Sequence, residues 1–274
     1  MPESAEVKLT AEHLHSTLAG KLITDLVFTG GKYTDTDPEG FELFDQLLPM
    51  TVQSVEAKGK FLYMRLTDRT NKPHFVMHSL MLSGRWQSTH DSLCNWFVEF
   101  ETSRKRGRRD SKGVVWFRDP SNLGTISFTD DPEVLTHKLE SLGPDILGVA
   151  FNRPLFRELL EQNVNRNITS ILMDQSVISG CGNVIKAEAL YYAGISPLRK
   201  TGSLTLDERD KLYEALYVIP RMAYNYGGTS VKDFTVNDEK GSYQDELKIY
   251  GLSHAKRTKT ADGRVTYWDP TVQV

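Results

Sequence analysis

The sequence predicts an α+β, multi-domain protein, in the order mixed β domain, helical domain, terminal β-hairpin. Three observations predict it. Short runs rich in β-branched and aromatic residues, separated by turn residues, fill the first half of the chain. After Leu142-Gly143-Pro144-Asp145 the apolar residues recur at helical spacing. From residue 247 the composition turns strand-like again. The chain has 274 residues, room for one large or two ordinary domains, and 39% apolar residues can supply a real core.

Val7, Ala11, Leu14 and Leu18 predict an amphipathic helix over residues 4–18, with Gly20 as its stop. Strands are predicted over 22–28, 52–57, 61–66, 74–78, 96–100, 114–117 and 124–128. Residues 104–113 read as an exposed hairpin tip. Asn152 caps a short helix with Phe156, Leu159 and Leu160, a second helix covers 168–173, and a third covers 183–193. Thr205-Leu206-Asp207-Glu208 is a capping box opening a longer helix, which Pro220 is expected to kink or break.

Charged residues make up 25% of the chain and the formal net charge is −3. Bulk charge therefore argues mildly against nucleic acid. Local charge argues for it: Arg104, Lys105, Arg106, Arg108 and Arg109 cluster, as do Lys256, Arg257, Lys259 and Arg264. No run is apolar enough to span a membrane, and nothing at the start resembles a secretion signal. Cys94 and Cys181 alone cannot form a disulfide framework or a cysteine-rich zinc site. They read as packing residues in a reducing, intracellular setting.

The chain starts Met1-Pro2-Glu3-Ser4-Ala5-Glu6. Removal of Met1 would leave Pro2 as a secondary amine, and an α-amino group has a pKa near 8 (about 7.7–8.0), partly neutral at pH 7. Such an amine can attack a sugar's anomeric carbon and yield an iminium ion, an electron sink. Very many unrelated proteins also begin Met-Pro. Glu3 beside the amine can move protons. Glu6 can do the same, or only favour the helix dipole. Lys60, entering a strand, can hold a phosphate, act catalytically by shuttling a proton, or be an ordinary surface lysine. Gly180-Cys181-Gly182-Asn183 opens a helix whose free N–H groups would face outward to a phosphate, with Asn183 as cap or as phosphate donor.

Three segments together carry a resemblance that covers nearly the whole chain. They are the Met-Pro-Glu start, the run from Leu172 through Gly180-Cys181-Gly182-Asn183 to Ser196-Pro197, and the closing Gly263-Arg264-Val265-Thr266-Tyr267-Trp268. A fourth is Gly227-Gly228-Thr229-Ser230-Val231-Lys232-Asp233-Phe234. The chain resembles the formamidopyrimidine-DNA glycosylase and endonuclease VIII family. The resemblance implies an N-terminal β-sandwich flanked by helices (1–142), a helix–two-turn–helix domain (147–246) and a hairpin finger (247–274). Pro2 would be the Schiff-base nucleophile, Glu3 the main acid/base group, and Glu6 a supporting carboxylate. Lys60, Asn183, Tyr250 and Arg264 would bind DNA, Arg264 also aiding the second elimination, and His90 lies near a DNA-contacting histidine. Thr229, Ser230 and Lys232 would belong to a loop over the everted base.

Departures from the family pattern matter. No cysteine lies between Tyr250 and Val274, so the finger resembles the zincless kind, held by packing of Tyr267, Trp268 and Pro270. Leu82, Ser121 and Leu123 stand where the formamidopyrimidine branch has a Met, an Arg and a Phe to fill the space left by the flipped base. Ser121 is too short to probe the opposite base as arginine does. The basic loop 104–109 is extra: a solvated tip, an added phosphate contact or a nuclear-import signal.

The expected activity is a bifunctional glycosylase and abasic-site lyase that removes oxidised bases (formamidopyrimidines, 8-oxoguanine, oxidised pyrimidines or hydantoins). It would need no metal or organic cofactor. The expected partner is double-stranded DNA with oxidised bases or abasic sites, met by a monomer with no membrane role, in the nucleus if the source is eukaryotic. The alternative is a binder of damaged or abasic DNA without catalysis.

Overall fold

Val7, Ala11, Leu14 and Leu18 lie on one face of helix α1 (Ser4–Leu18), and all four are buried in a shared core. This helix opens a computed structural model that describes residues 2–102, 111–229, 234–236 and 238–274. The chain groups into two units. The first takes Met1–Pro2, Glu6–Glu140 and Ser230–Gly241, and the second takes Glu3–Ala5, Ser141–Thr229 and Ser242–Val274.

In the first unit, α1 is followed by β1 (Leu22–Phe28), α2 (Phe41–Gln46), β2 (Met50–Lys58), β3 (Phe61–Thr67), β4 (Pro73–Ser79), β5 (Arg85–Gln87), β6 (Cys94–Glu101), β7 (Lys112–Arg118), β8 (Thr125–Thr129) and α3 (Pro132–Glu140). A short pair, β9 (Thr235–Val236) and β10 (Glu239–Lys240), belongs here too. Strands β1 to β8 make one antiparallel sheet in the order β5-β7-β6-β1-β2-β3-β4-β8. The joint between β1 and β2 is only two residue pairs, Leu22 with Thr51 and Ile23 with Met50, so the sheet folds over at that seam. His78 of β4 accordingly meets rings from the other half, Trp86, Trp96 and Phe117, with centroids 5.8, 5.8 and 4.7 Å away. The two faces enclose a core that is the expected sandwich. Burial pushes the His78 imidazole down to about 4, so it packs there uncharged, with Nδ1 2.6 Å from the Thr125 carbonyl.

In the second unit, helices α4 (Arg153–Glu161), α5 (Ile168–Met173), α6 (Asn183–Tyr192) and α7 (Leu206–Asn225) surround a second core built on Phe156, Ile171, Ile185, Leu190 and Leu216. Asn152 caps α4 by accepting the Leu155 N–H at 3.0 Å, and Thr205 with Glu208 forms the capping box of α7. Strands β11 (Lys256–Lys259) and β12 (Val265–Trp268) form the terminal hairpin.

Three expectations need correction or limits. Pro220 does not break α7: Leu216, Ile219, Pro220 and Ala223 are all buried, and packing on both sides of the proline outweighs its missing N–H. Pro270 is exposed and does not pack the hairpin, whereas Trp268 and Thr266 are buried. The basic loop 104–109 lies outside the described residues.

Candidate DNA-processing site

The first unit carries Pro2, Glu6, Lys60, Leu82, His90, Ser121 and Leu123. Pro2 is buried, and Glu6, in the first turn of α1, is 1% exposed. Lys60 is half-buried in the two-residue turn joining β2 to β3. Gly59 precedes it with φ 59, the position that a tight hairpin of this kind reserves for glycine, so the turn fixes where the Lys60 backbone sits. His90 is exposed and its ring lies 4.4 Å from that of Trp116.

Leu82 and Leu123 are 46% and 47% exposed, on two separate loops. Both loops converge on one buried carboxylate that sequence reasoning passed over, Asp119. Its Oδ1 accepts from the Ser83 hydroxyl at 2.8 Å, the Ser121 hydroxyl at 2.6 Å and the Ser121 N–H at 3.1 Å. Its Oδ2 accepts the Gly124 N–H at 2.6 Å. Burial alone would raise the Asp119 carboxyl, but the hydrogen bonds from Ser121, Gly124 and Ser83 outweigh it and hold the group below the usual carboxylate range. Ser121 is therefore a latch within its own loop. The same loop receives Lys32, whose N–H donates to Asn122 Oδ1 at 2.9 Å and whose ammonium donates to the Leu123 carbonyl at 3.4 Å. Met81, 46% exposed with φ 56, stands beside Leu82 as a second apolar tip. The run Met81-Leu82-Ser83-Gly84 contained that signal.

The second unit carries Glu3, Asn183, Thr229, Tyr250 and Arg264. Glu3 is 1% exposed. Its carboxylate accepts the N–H of Val184 at 2.8 Å and of Ile185 at 3.0 Å, at the start of α6. The cap position of α6 is Gly182, which has no side chain to do this. A Cβ there would lie 2.2 Å from the Glu3 carboxyl, so the glycine is what admits the carboxylate. Gln175 frames the same turn, accepting the Gly180 N–H at 2.9 Å and donating to the Cys181 carbonyl at 3.0 Å.

This corrects the reading of the 180–183 turn. The Val184 and Ile185 amides do not face outward; Glu3 takes them. Asn183 is not the cap either, and its amide nitrogen donates to the Val265 carbonyl in the hairpin at 3.0 Å. Tyr250 packs on Tyr267 at 4.9 Å. Burial pushes the Tyr250 hydroxyl up; Asn183 opposes that shift and the Glu3 charge adds to it. Glu3, Asn183 and Tyr250 thus share one neighbourhood. Glu188, another group not anticipated, accepts the N–H groups of Lys248, Ile249 and Tyr250 at 2.8, 3.0 and 2.7 Å and so fixes the backbone leading into the hairpin. Arg264 is exposed on the hairpin turn. Thr229 is buried, and Ser230 and Lys232 lie outside the described residues. Among the described residues no group of three or more His, Cys, Asp or Glu side chains could hold a metal ion, and no helix is long and apolar enough to cross a membrane.

Two family descriptions match the chain. "Formamidopyrimidine-DNA glycosylase N-terminal domain" matches residues 1–126, and "Formamidopyrimidine-DNA glycosylase H2TH domain" matches residues 142–235. A formamidopyrimidine-DNA glycosylase of Hydrogenovibrio crunogenus is 30% identical over 258 residues, covering 92% of this chain and 86% of that one. One from Xanthomonas oryzae pv. oryzae is 32% identical over 254 residues, covering 92% and 89%. The Lactococcus lactis Fpg, in a complex with DNA containing an abasic site, has the same fold: the TM-score is 0.83 at 23% identity, over 99% of both chains.

Proposed function

Because this chain belongs to the formamidopyrimidine-DNA glycosylase family, we propose that it excises oxidised bases from double-stranded DNA and then cuts the strand, as a glycosylase and abasic-site lyase of base excision repair. The observation that carries the mechanism is the Glu3 carboxylate: buried, anchored on two α6 amides, and covalently next to Pro2.

The steps follow from those groups. With Met1 removed, the Pro2 nitrogen attacks C1′ of the damaged nucleotide and passes its N–H proton to the Glu3 carboxylate. The glycosidic bond breaks and the base leaves with its electron pair. The C1′–O4′ bond then opens, O4′ takes a proton from Glu3, and the nitrogen lone pair forms the iminium. A secondary amine has no second N–H to lose, so this adduct stays cationic. The cation acidifies the C2′ proton, and its removal expels the 3′ phosphate. Loss of the C4′ proton expels the 5′ phosphate, and water then releases the sugar fragment from Pro2.

Glu6 supports proton movement. Lys60, His90, Asn183, Tyr250 and Arg264 contact the DNA backbone, and Leu82 and Leu123 enter the space left by the everted base. Thr229, Ser230 and Lys232 cover that base. A short, internally latched Ser121 is consistent with weak discrimination of the opposite base. The protein would act as a monomer where the genome is, in the nucleus if the source is eukaryotic.

The test is a panel of duplex oligonucleotides, each with one lesion, incubated with the chain whose Met1 has been removed. The expected products are ends carrying phosphate on both sides of a one-nucleotide gap, with borohydride trapping a covalent complex. A chain that keeps Met1 should not trap, and Pro2→Gly, whose primary amine can still form an imine but one that can lose its proton, should trap more slowly. Binding to abasic DNA with neither cleavage nor trapping would favour the non-catalytic alternative.

A further inference from the structure

A hairpin of two four-residue strands has too little core to hold its own turn in place, and an isolated two-stranded ribbon is marginal in water. Yet Arg264 sits on that turn. We propose that Lys186 and Asp262 are positioning residues that fix Arg264 through a buried ion pair between α6 and the hairpin. The proposal rests on the reading of this chain as a DNA glycosylase.

Lys186 lies on α6, where every residue from Val184 to Leu190 is buried, and its side chain is 0% exposed. A lysine so enclosed is unfavourable unless an anion meets it. Asp262 does, with Oδ2 2.8 Å from the ammonium, and its side chain is 3% exposed. Asp262 lies two residues before Arg264 in sequence. Its Oδ1 accepts the Thr260 hydroxyl, the Thr260 and Thr266 hydroxyls are 2.7 Å apart, and the Thr260 N–H donates to the Arg264 carbonyl at 2.9 Å. A continuous set of buried polar contacts therefore runs from a rigid helix to the Arg264 backbone. Asn183, three residues earlier on α6, holds the next carbonyl, that of Val265, at 3.0 Å.

The pair has a second consequence. Burial pushes the Lys186 ammonium down, Asp262 opposes this, and the Arg264 charge adds to the lowering, so the two cations feel each other. With Lys186 present, Asp262 is already matched. With Lys186 removed, Asp262 becomes a buried carboxylate whose nearby remaining cation is Arg264, which would be drawn inward and away from a phosphate.

The test uses the full chain and a duplex with a non-cleavable tetrahydrofuran abasic analogue, reading affinity against salt. Arg264→Ala should make the slope of log affinity against log salt shallower by about one, the signature of one lost phosphate contact. Lys186→Met and Asp262→Asn should do the same while Arg264 is still present. Asp262→Asn added to Arg264→Ala should change nothing further. Lys186→Met/Asp262→Leu guards against misfolding, because replacing both buried charges with apolar groups tends to preserve the fold. It should melt near the native temperature and still show the shallower slope. A native slope in that double variant, or additive losses with Arg264→Ala, would overturn the proposal. Borohydride trapping by the native chain separates this from the wider reading: native trapping with unchanged variant slopes sinks only the ion-pair role, while a native chain that binds but never traps sinks the catalytic reading.

Discussion

The loop at 119–124 and the hairpin turn at 260–264 solve one problem in two ways. Each presents side chains from a short, exposed segment, and each is organised by a buried aspartate. Asp119 is matched by neutral donors alone, two hydroxyls and two backbone amides, all within two neighbouring loops. Asp262 has a hydroxyl from its own turn and a cation from α6. The difference follows from what lies beneath. The 119–124 loop joins β7 to β8, strands of an eight-stranded sheet, so its ends are already fixed. The hairpin pairs only with itself, so its carboxylate must reach another element to fix the turn.

The largest effect that would sharpen this contrast is expected from Asp119→Ala. It strands the Ser83 and Ser121 hydroxyls and the Gly124 amide, and should cost about 3 kcal/mol in urea unfolding. The pH dependence has a definite sign. The folded carboxyl titrates below its unfolded value of 3.8, so its contribution is complete above that pH and is lost as pH falls through the folded value. The stability gap between native and variant chains should therefore close in strong acid and stay constant above about pH 5. A gap that grew on acidification would break the comparison.

Gly182→Ala comes next. Glu3 is a third buried carboxylate, matched like Asp119 by neutral donors, here the end of a helix. The new methyl group would displace it, at about 2 kcal/mol from overpacking, with a larger loss in trapping rate than in DNA affinity. Trp268→Phe removes the indole N–H bond to the Thr258 hydroxyl, 2.9 Å long, and should cost about 1 kcal/mol. Ser121→Ala should be the mildest, about 0.5–1 kcal/mol, because Asp119 keeps its other donors. It should leave the cleavage rates opposite the four bases in unchanged proportion. A shift in those proportions would make Ser121 a base reader instead of a latch.

Local signals were legible in the sequence. The apolar spacing of α1, the β-branched runs of β1 and β3, the Asn152 cap and the Thr205 capping box each act within a few residues, and each formed as expected. Helix α2 and strand β5 span too few residues to show a period, and they were missed. The candidate residues were visible mainly through motif resemblance, and their partners were not. Glu3 meets amides 181 residues away, Lys186 meets Asp262 across 76 residues, and Glu188 clamps amides about sixty residues on. No pattern in one chain encodes such pairs. One clue was present: a lysine and a glutamate inside the run Val184-Ile185-Lys186-Ala187-Glu188-Ala189-Leu190, too apolar to leave a solvated face.

Peptide mapping of the borohydride-trapped complex by mass spectrometry bears most directly on the central chemistry. The predicted result is a deoxyribose remnant on the peptide that begins at Pro2, with Met1 absent and no modified lysine. A remnant on Lys60 or any other lysine, or trapping by a chain that still carries Met1, would contradict it.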